Sequence, residues 1–528
     1  MMKKIKLYQF VVFLLISLYC TGQNILPGPY KTEVLNSVFS FKTKIKIVYD
    51  REGHETAMYL SERLKSYIET ELSETGDGDI VLCTKHAPAE QGTEGYVLEI
   101  SNDRISINAN TDKGLFYGIQ SLLQLLPPGV QAGKPFTLTG FQLQGLRVTD
   151  APKYPWRSFM LDSGRQYQTP EFIKRYLDIM AMLKMNVFHW HLTEGQGWRI
   201  EIKKYPKLTE IGSSVAPGKE QQGYYTQEDI REIVAYAQKL HIEVVPEIDM
   251  PGHSEAALTA YPEMGCFNKI PPSVMTYSSS LFCGGKESTY QFIEDILDEV
   301  CELFPSSYIH LGGDEAPKDE WEKCPDCLQK IKTASLQNAD ELQRYFSSRL
   351  AEYLRTKNKM VIFWGDVVYA DGYSLPDNVI IQWWNWRKHN DLAYVNAIKR
   401  GHQIIINTNY YSYLNYPVVP WSNYGIERTL DIKDAYENNP GDLTNPHPLV
   451  LGMCCSLWTD WYVQEYMIDR RVFPRIYSQA EQMWSKGERL PFDKFYNVVK
   501  SKYPLLEMLG ITYGPGLREE VPADYKWD

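Results

Sequence analysis

The sequence is short of nearly everything that marks a nucleic-acid or membrane protein. Its 55 Lys and Arg are outnumbered by 66 Asp and Glu, giving a formal charge of −11, and no basic run offsets that balance. A phosphate-tracking surface is therefore excluded. Beyond the first 23 residues no apolar run is long enough to span a bilayer. Short repeats, low-complexity segments and a basic tail are also missing. Cysteine is sparse, nine in 528 residues. Cys324-Pro-Asp-Cys327 has the spacing of a zinc or redox pair, but a zinc ribbon needs a second such pair and the chain has none. A local disulfide between Cys266 and Cys283, or free thiols, is the expectation ahead of a metal. Cys454 and Cys455 sit in an apolar run and read as small buried hydrophobes.

Aromatic residues, by contrast, are abundant. Thirteen Trp and 37 Tyr suit a carbohydrate site, because aromatic faces stack on the apolar faces of sugar rings. Most of them must nonetheless serve core and surface. Residues 1–22 read as a signal peptide: Lys3, Lys4 and Lys6 precede the apolar stretch Phe10 to Leu18, and the small residues Thr21 and Gly22 follow. Lipid attachment at Cys20 ranks below simple cleavage, since Tyr19 is a poor neighbour for it. The mature chain is thus expected to be exported, periplasmic or secreted, with no transmembrane segment.

Residues 24–147 read as a small α/β (α+β) N-terminal domain. Strands are expected at Lys44–Val48, Ile80–Cys83, Tyr96–Ile100 and Ile105–Asn108, and helices at Glu55–Leu72 and Gly114–Leu126. Residues 148–528 change to a repeated strand, loop and helix. Eight apolar runs of strand length begin at Ser158, Asn186, Glu243, Ser307, Met360, Val379, Gln403 and Leu451. Eight parallel strands with intervening helices argue for a (β/α)8 barrel, closed by a helix over Pro474–Lys486.

Barrels of this kind place their chemistry at the C-terminal strand ends. The fourth run, Tyr308 to Leu311, stops at Gly312-Gly313 and is followed by Asp314 and Glu315. Adjacent carboxylates leaving a strand end point in different directions, and two carboxyls in unlike environments can supply an acid and a base at one pH. An acidic helix N-terminus is the plain alternative. The other strand ends decide between them: Asp162 and Arg165, His189, His191 and Glu194, Glu247, Asp249 and His253, Trp364 and Asp366, Trp383 and Trp384, Tyr413 and Asn415, Trp458 and Asp460. A solvated face would not place Trp at three separate strand ends.

The stretches FMLDSGR (159–165), HWHLTEGQGWR (189–199), PEIDMPGHS (246–254), HLGGDE (310–315), WGD (364–366), QWW (382–384), YLNY (413–416) and LWTDW (457–461) resemble, in order, those of glycoside hydrolase family 20 β-N-acetylhexosaminidases. YGIQSLLQLLP (117–127) resembles the end of that family's small N-terminal domain. The resemblance implies retaining, substrate-assisted hydrolysis of terminal β-linked GlcNAc or GalNAc, the exception among glycosidases in which the substrate's 2-acetamido oxygen is the nucleophile. It implies Glu315 as acid/base, Asp314 as holder of the acetamido N–H, and Tyr413 as donor to the acetamido oxygen. Trp364, Trp384 and Trp458 would box the sugar, with Trp383 competing for the place of Trp384. Arg165 would grip sugar hydroxyls, or else simply pair with Asp162, and His253 would orient Glu315. No cofactor and no metal enter this reading. The expected partner is an oligosaccharide or glycoconjugate ending in β-linked N-acetylhexosamine.

Three positions depart from the family pattern. Glu194 and Gly195 stand where two Asp are usual, Asn415 replaces an Asp expected near the outer hydroxyls, and Asp460 replaces a Glu. Glu194, Asn415 and Asp460 are still expected to contact substrate, and the lost charge at Asn415 suggests tolerance of a 6-O-sulfate. Two rival readings remain open at this point. His189-Trp-His191 with His253, His310 and Asp314 would suit a zinc-dependent amidohydrolase or deacetylase on a barrel. A non-catalytic glycan-binding protein is the other, although a lectin has no use for an acid/base.

Overall fold

The computed structural model describes residues 24–215, 222–272, 280–369, 374–385, 391–441 and 445–527. The expected signal peptide, residues 1–22, and Cys20 lie outside the described residues. Two compact units are distinguished: residues 1–155 with 181–184 and 476–514, and residues 156–180, 185–475 and 515–528.

The first unit is a seven-stranded mixed sheet. Its spatial order is Lys31–Ser40, Gln142–Asp150, Tyr96–Ile100, Ile105–Ala109, Ile80–Cys83, Lys44–Tyr49 and Glu69–Ser73. The helix Asp112–Leu125 is buried along nearly its whole length and is capped by Thr111, whose hydroxyl accepts from the Gly114 N–H. The helix expected over Glu55–Leu72 covers only His54–Leu64. Beyond Leu64 the apolar face would continue through Ile68 and Leu72, but the chain instead adds the strand Glu69–Ser73 parallel to Lys44–Val48. Strand pairing along an open sheet edge outweighs these two apolar positions of an extended helix. The helix Ile476–Trp484, expected to close the barrel, belongs to this first unit. Within the unit, the Trp484 indole N–H donates to Asp150 Oδ2 at 2.9 Å and the ring packs on Tyr117.

Asp150 is the polar centre of this unit. Fully buried, it accepts from Lys184 Nζ at 3.0 Å, from the Tyr96 hydroxyl at 2.7 Å and from the Tyr30 and Ala151 N–H groups. Lys184 is itself completely buried. Removing one member of a buried ion pair leaves an uncompensated charge, so Lys184→Met is expected to cost about 3 kcal/mol of stability. A urea unfolding curve with an unchanged slope and a lower midpoint would show it; an unchanged midpoint would mean that the Asp150 hydrogen bonds suffice alone.

The second unit is a closed barrel of eight parallel strands: β1 (Trp156–Asp162), β2 (Val187–His191), β3 (Glu243–Glu247), β4 (Tyr308–His310), β5 (Met360–Trp364), β6 (Val379–Trp383), β7 (Gln403–Ile406) and β8 (Val450–Leu457). Each pairs in parallel with its sequence neighbour, and β8 closes on β1 through Gly452–Leu457 against Trp156–Leu161. Inward side chains from successive strands, including Met160, Val187, Val245, Ile362, Ile380, Ile405 and Cys454, fill the interior. The expected barrel and all eight of its strands are therefore observed. No helix among the described residues is long and apolar enough to cross a membrane.

Candidate active site

The turn after β4 is fixed by glycine. Gly312 and Gly313 have φ of 65° and 96°, and a Cβ on Gly312 would fall 1.6 Å from Asp249 Oδ1. Only glycine satisfies both the backbone and the contact. Asp249 Oδ1 in turn accepts from the Gly313 N–H, and Gln343 Nε2 donates to the Gly313 carbonyl. The turn thus delivers Asp314 and Glu315 to a cavity of about 390 Å³ at the C-terminal strand ends. Glu315 sits at φ 46°, an unusual conformation for a non-glycine residue, with its N–H donating to Asp366 Oδ1 at 3.3 Å. Strain of this kind, held by surrounding contacts, gathers at functional sites.

The two neighbouring carboxyls occupy different surroundings. Burial pushes the Asp314 carboxyl up to about 7, opposed by His253 and reinforced by Asp366 and Glu315. Its Oδ1 is buried with no hydrogen-bond partner among the described residues. An unpartnered buried acceptor on a cavity wall is a position prepared for a donor from a ligand. Glu315 is the more exposed of the pair.

Beneath the cavity lies a charge network. Glu247, fully buried at the end of β3, accepts from His191 at 2.6 Å, His189 at 2.8 Å and the Trp364 indole N–H at 2.7 Å. Burial alone would raise its carboxyl, but His191, His310 and His189 hold it well below the usual range. This explains His189-Trp-His191: alternate side chains of β2 point inward to one buried carboxylate, and none of His189, His191 and His310 reaches the cavity wall.

Arg165 reaches the cavity and also makes the expected ion pair. Its N–H and guanidinium bond Asp162, and its other terminal nitrogen bonds Glu194 at 2.8 Å. The guanidinium lies 5.1 Å over the Trp458 ring. Glu194, expected to touch substrate, lies instead behind the wall, where it bonds Arg165 and, at 2.7 Å, His253 Nδ1. The other ring nitrogen of His253 lies 3.5 Å from Asp314 and 4.0 Å from Glu315. His253 is therefore a bridge from Glu194 to the carboxylate pair, and it too is set back from the wall. Burial would lower its imidazole, yet Glu194 and Asp314 hold it well above its ordinary value.

Aromatic rings form the remaining walls. Trp364, Trp384, Tyr413 and Trp458 all line the cavity, with Trp384 and Tyr413 nearly parallel at 11° and 6.4 Å. Trp384 is aimed by its indole N–H, which donates to Asp366 Oδ2 at 2.6 Å. Asp366 thereby fixes both an aromatic wall and the Glu315 backbone, a role that nothing in the sequence separates from those of the other strand-end acids. Trp383 is excluded from the cavity: it is the last residue of β6, on the face opposite Gln382, and packs on Tyr394. The strand pleat settles which of the two tryptophans faces in.

On the same side as Arg165, Asn415 Nδ2 donates to Asp460 Oδ1 at 3.1 Å and to the Tyr424 hydroxyl at 3.2 Å. The Tyr424 hydroxyl also donates to Asp460. Asn415 Oδ1 is buried without a partner among the described residues. Tyr416, Tyr424, Arg428 and Trp461 complete the lining, and none was singled out by sequence. Trp461 had a signal in its position within LWTDW; Tyr424 and Arg428 lie in a long connection with no periodic pattern to place them.

Comparison with known proteins is consistent across sequence and structure. A crystal structure of a β-N-acetylhexosaminidase from Bacteroides fragilis is 48% identical, with a TM-score of 0.87, covering 96% of this chain and 99% of that one. The Streptomyces plicatus N-acetyl-β-hexosaminidase, solved in complex with Thio-NAglucal, is 29% identical with a TM-score of 0.82 over 94% of this chain and 98% of that one. A β-hexosaminidase of Porphyromonas gingivalis is 35% identical over 95% of this chain, which spans 66% of that relative's length. Residues 22–151 match the description "Glycosyl hydrolase family 20, domain 2". Residues 154–487 match "Glycosyl hydrolase family 20, catalytic domain", and the chain belongs to that family of glycoside hydrolases.

Proposed function

We propose that the protein is an exo-acting, retaining β-N-acetylhexosaminidase that removes terminal β-linked GlcNAc or GalNAc through an oxazoline intermediate. The observation that carries this reading is the pairing of Asp314, with its buried unpartnered Oδ1, and Glu315 on one cavity walled by Trp364, Trp384, Tyr413 and Trp458. In this mechanism Glu315 protonates the departing glycosidic oxygen while the substrate's acetamido oxygen attacks the anomeric carbon. Asp314 accepts the acetamido N–H and offsets the positive charge that grows there, and the Tyr413 hydroxyl donates to the acetamido oxygen. Water, deprotonated by Glu315, then attacks the anomeric carbon from the face that the leaving group has vacated and displaces the acetamido oxygen, so two inversions retain the configuration. An intramolecular nucleophile held in line carries a large effective molarity, which removes the need for a protein nucleophile. Arg165, fixed by two carboxylates, is poised to hold sugar hydroxyls with its remaining donors. The leader-like residues 1–22 support an exported enzyme, periplasmic or secreted.

The test is hydrolysis of a chromogenic β-N-acetylglucosaminide and its galacto epimer against a β-glucoside control. Turnover of the acetamido sugars alone, blocked by a thiazoline mimic of the oxazoline, is the expected result. Equal turnover of the β-glucoside would refute substrate assistance. Binding with no turnover of either epimer would favour the glycan-binding reading. The amidohydrolase reading loses its support from His189 and His191, since both imidazoles are engaged by Glu247 below the wall.

Asn415 and its surroundings support a finer reading, tolerance of a 6-O-sulfate. Asn415 supplies an amide where a carboxylate would repel an anion, and Arg428 brings a cation to the same cavity. For Asn415→Asp, the kcat/KM ratio of 6-sulfated to plain substrate is expected to fall at least about tenfold, equivalent to about 1.4 kcal/mol of added repulsion. An unchanged ratio would reject the idea.

A further inference from the structure

We propose that Cys266, Cys283, Cys324 and Cys327 together bind one zinc ion, which clamps the loop following β3 to the loop following β4. All four side chains are free thiols, each is buried, and their sulfurs all lie within 4.8 Å of one another. Three of the separations are nearly equal: 3.7 Å for Cys266–Cys327, 3.8 Å for Cys283–Cys324 and 3.6 Å for Cys283–Cys327. With zinc–sulfur bonds of about 2.3 Å, the edge of a tetrahedron of sulfurs is about 3.8 Å. Two disulfides would instead draw the sulfurs into two close pairs. The second half of the site, which a ribbon would take from another Cys-x-x-Cys, comes from two cysteines 17 positions apart in the sequence (283 − 266), brought together by folding.

The surrounding chain is shaped to hold the four sulfurs. Cys266 and Cys283 flank the antiparallel bridge between Gly265 and Phe282, with the Cys283 N–H donating to the Met264 carbonyl. The turn Cys283-Gly284-Gly285-Lys286 is pressed against Cys324–Cys327, and a Cβ on Gly285 would lie 2.2 Å from the Asp326 carbonyl carbon. Backbones approach this closely only where glycine permits. Cys324 stands at the N-cap of the helix Pro325–Thr333 and Cys327 sits in its first turn. The Lys286 ammonium bonds the carbonyls of Glu263 and Gly265 and the side chain of Asn268, fixing the turn that presents Cys266. Trp321, fully buried, packs on Gly284 and closes one side to water. The backbone N–H groups of Gly285 and Lys286 are directed at the Cys283 sulfur. Those backbone donors are what a metal-bound thiolate needs.

Binding exchanges four thiol protons, released to solvent, for one divalent cation, with no change of oxidation state. A four-sulfur tetrahedral set suits zinc, and the absence of an open position makes the site structural rather than catalytic. The clamp lies beyond His253 on one loop and beyond Asp314 and Glu315 on the other, so it fixes the segments that carry the reacting groups without touching substrate.

Metal analysis of the purified full-length protein, with mass mapping of the four cysteines under denaturing, alkylating conditions, tests the proposal. One equivalent of zinc with all four thiols reduced, released on titration with a mercurial, is expected. Iron in place of zinc, two disulfides, or reduced thiols with no metal would each overturn it. Cys324→Ser is expected to lose the zinc and lower the melting temperature; should that variant fail to fold, the wild-type stoichiometry and thiol state decide alone. The glycosidase assay reports separately, so neither result stands in for the other.

Discussion

Glu315→Gln is expected to lower kcat/KM on an N-acetylglucosaminide with a sugar leaving group by about 10³–10⁴-fold, the range of a lost general acid/base. The loss should shrink sharply with a 4-nitrophenyl leaving group, which departs without protonation. What then remains slow is the second step, because the oxazoline still needs water deprotonated by Glu315. Azide, a nucleophile that needs no base, should restore turnover of the nitrophenyl substrate and yield the β-glycosyl azide. The geometry supports this split. Glu315 is held at a positive φ by its bond to Asp366, its side chain is partly exposed, and it stands on the cavity wall beside Asp314. Binding of GlcNAc should survive, since glutamine fills the same volume. A uniform loss across leaving groups, with no azide rescue, would assign Glu315 a structural role instead.

The barrel was legible because each of its strands is a short apolar run, buried on both faces and closed by polar or glycine punctuation. The strand ends were legible for a related reason: a polar residue that ends an otherwise apolar run has no core function to explain it. The outer strand Lys31–Ser40 was not, since most of its residues are exposed and no alternating apolar stripe marks it. Leu143, Leu146 and Val148 of Gln142–Asp150 do face the core, but the segment reads equally well as the start of the next domain. In the site, the cavity residues set in strand-end motifs were readable, whereas Tyr424 and Arg428, in a long connection without a periodic pattern, were not. Glu194 and His253 carry the same side chains whether they meet a sugar or stand behind Arg165 and Asp314. Trp383 and Trp384 differ only by the pleat of β6, which sequence does not register. Among the cysteines, the spacing of Cys324 and Cys327 was readable, but their meeting with Cys266 and Cys283 depends on two loops coming together, which no local spacing encodes.

Asp314→Asn separates charge from hydrogen bonding. The amide keeps an oxygen that can accept the acetamido N–H, so KM should move little. It cannot offset the positive charge of the forming oxazoline, and kcat should fall by about 10²–10³-fold, as for loss of a preorganised electrostatic contact. The pH profile supplies the sharper test. Burial raises the Asp314 carboxyl to about 7, opposed by His253 and reinforced by Asp366 and Glu315, so in the free enzyme the carboxyl gains its proton as pH falls through that value. The ionised form is the one the cation needs, and kcat/KM for the wild type should decline on the acid side near neutrality. Once substrate is bound, the acetamido N–H donates to Asp314 and favours its ionised form, so the acid limb of kcat should lie at lower pH than that of kcat/KM. Because the amide of the variant does not titrate, Asp314→Asn should lose this limb while keeping the alkaline one. His253 keeps Glu194 as its partner at 2.7 Å, so its charge should persist in the variant. An acid limb of kcat/KM that survives Asp314→Asn unchanged would move the titration to another group, and with it the role of Asp314 as the anion beneath the oxazoline.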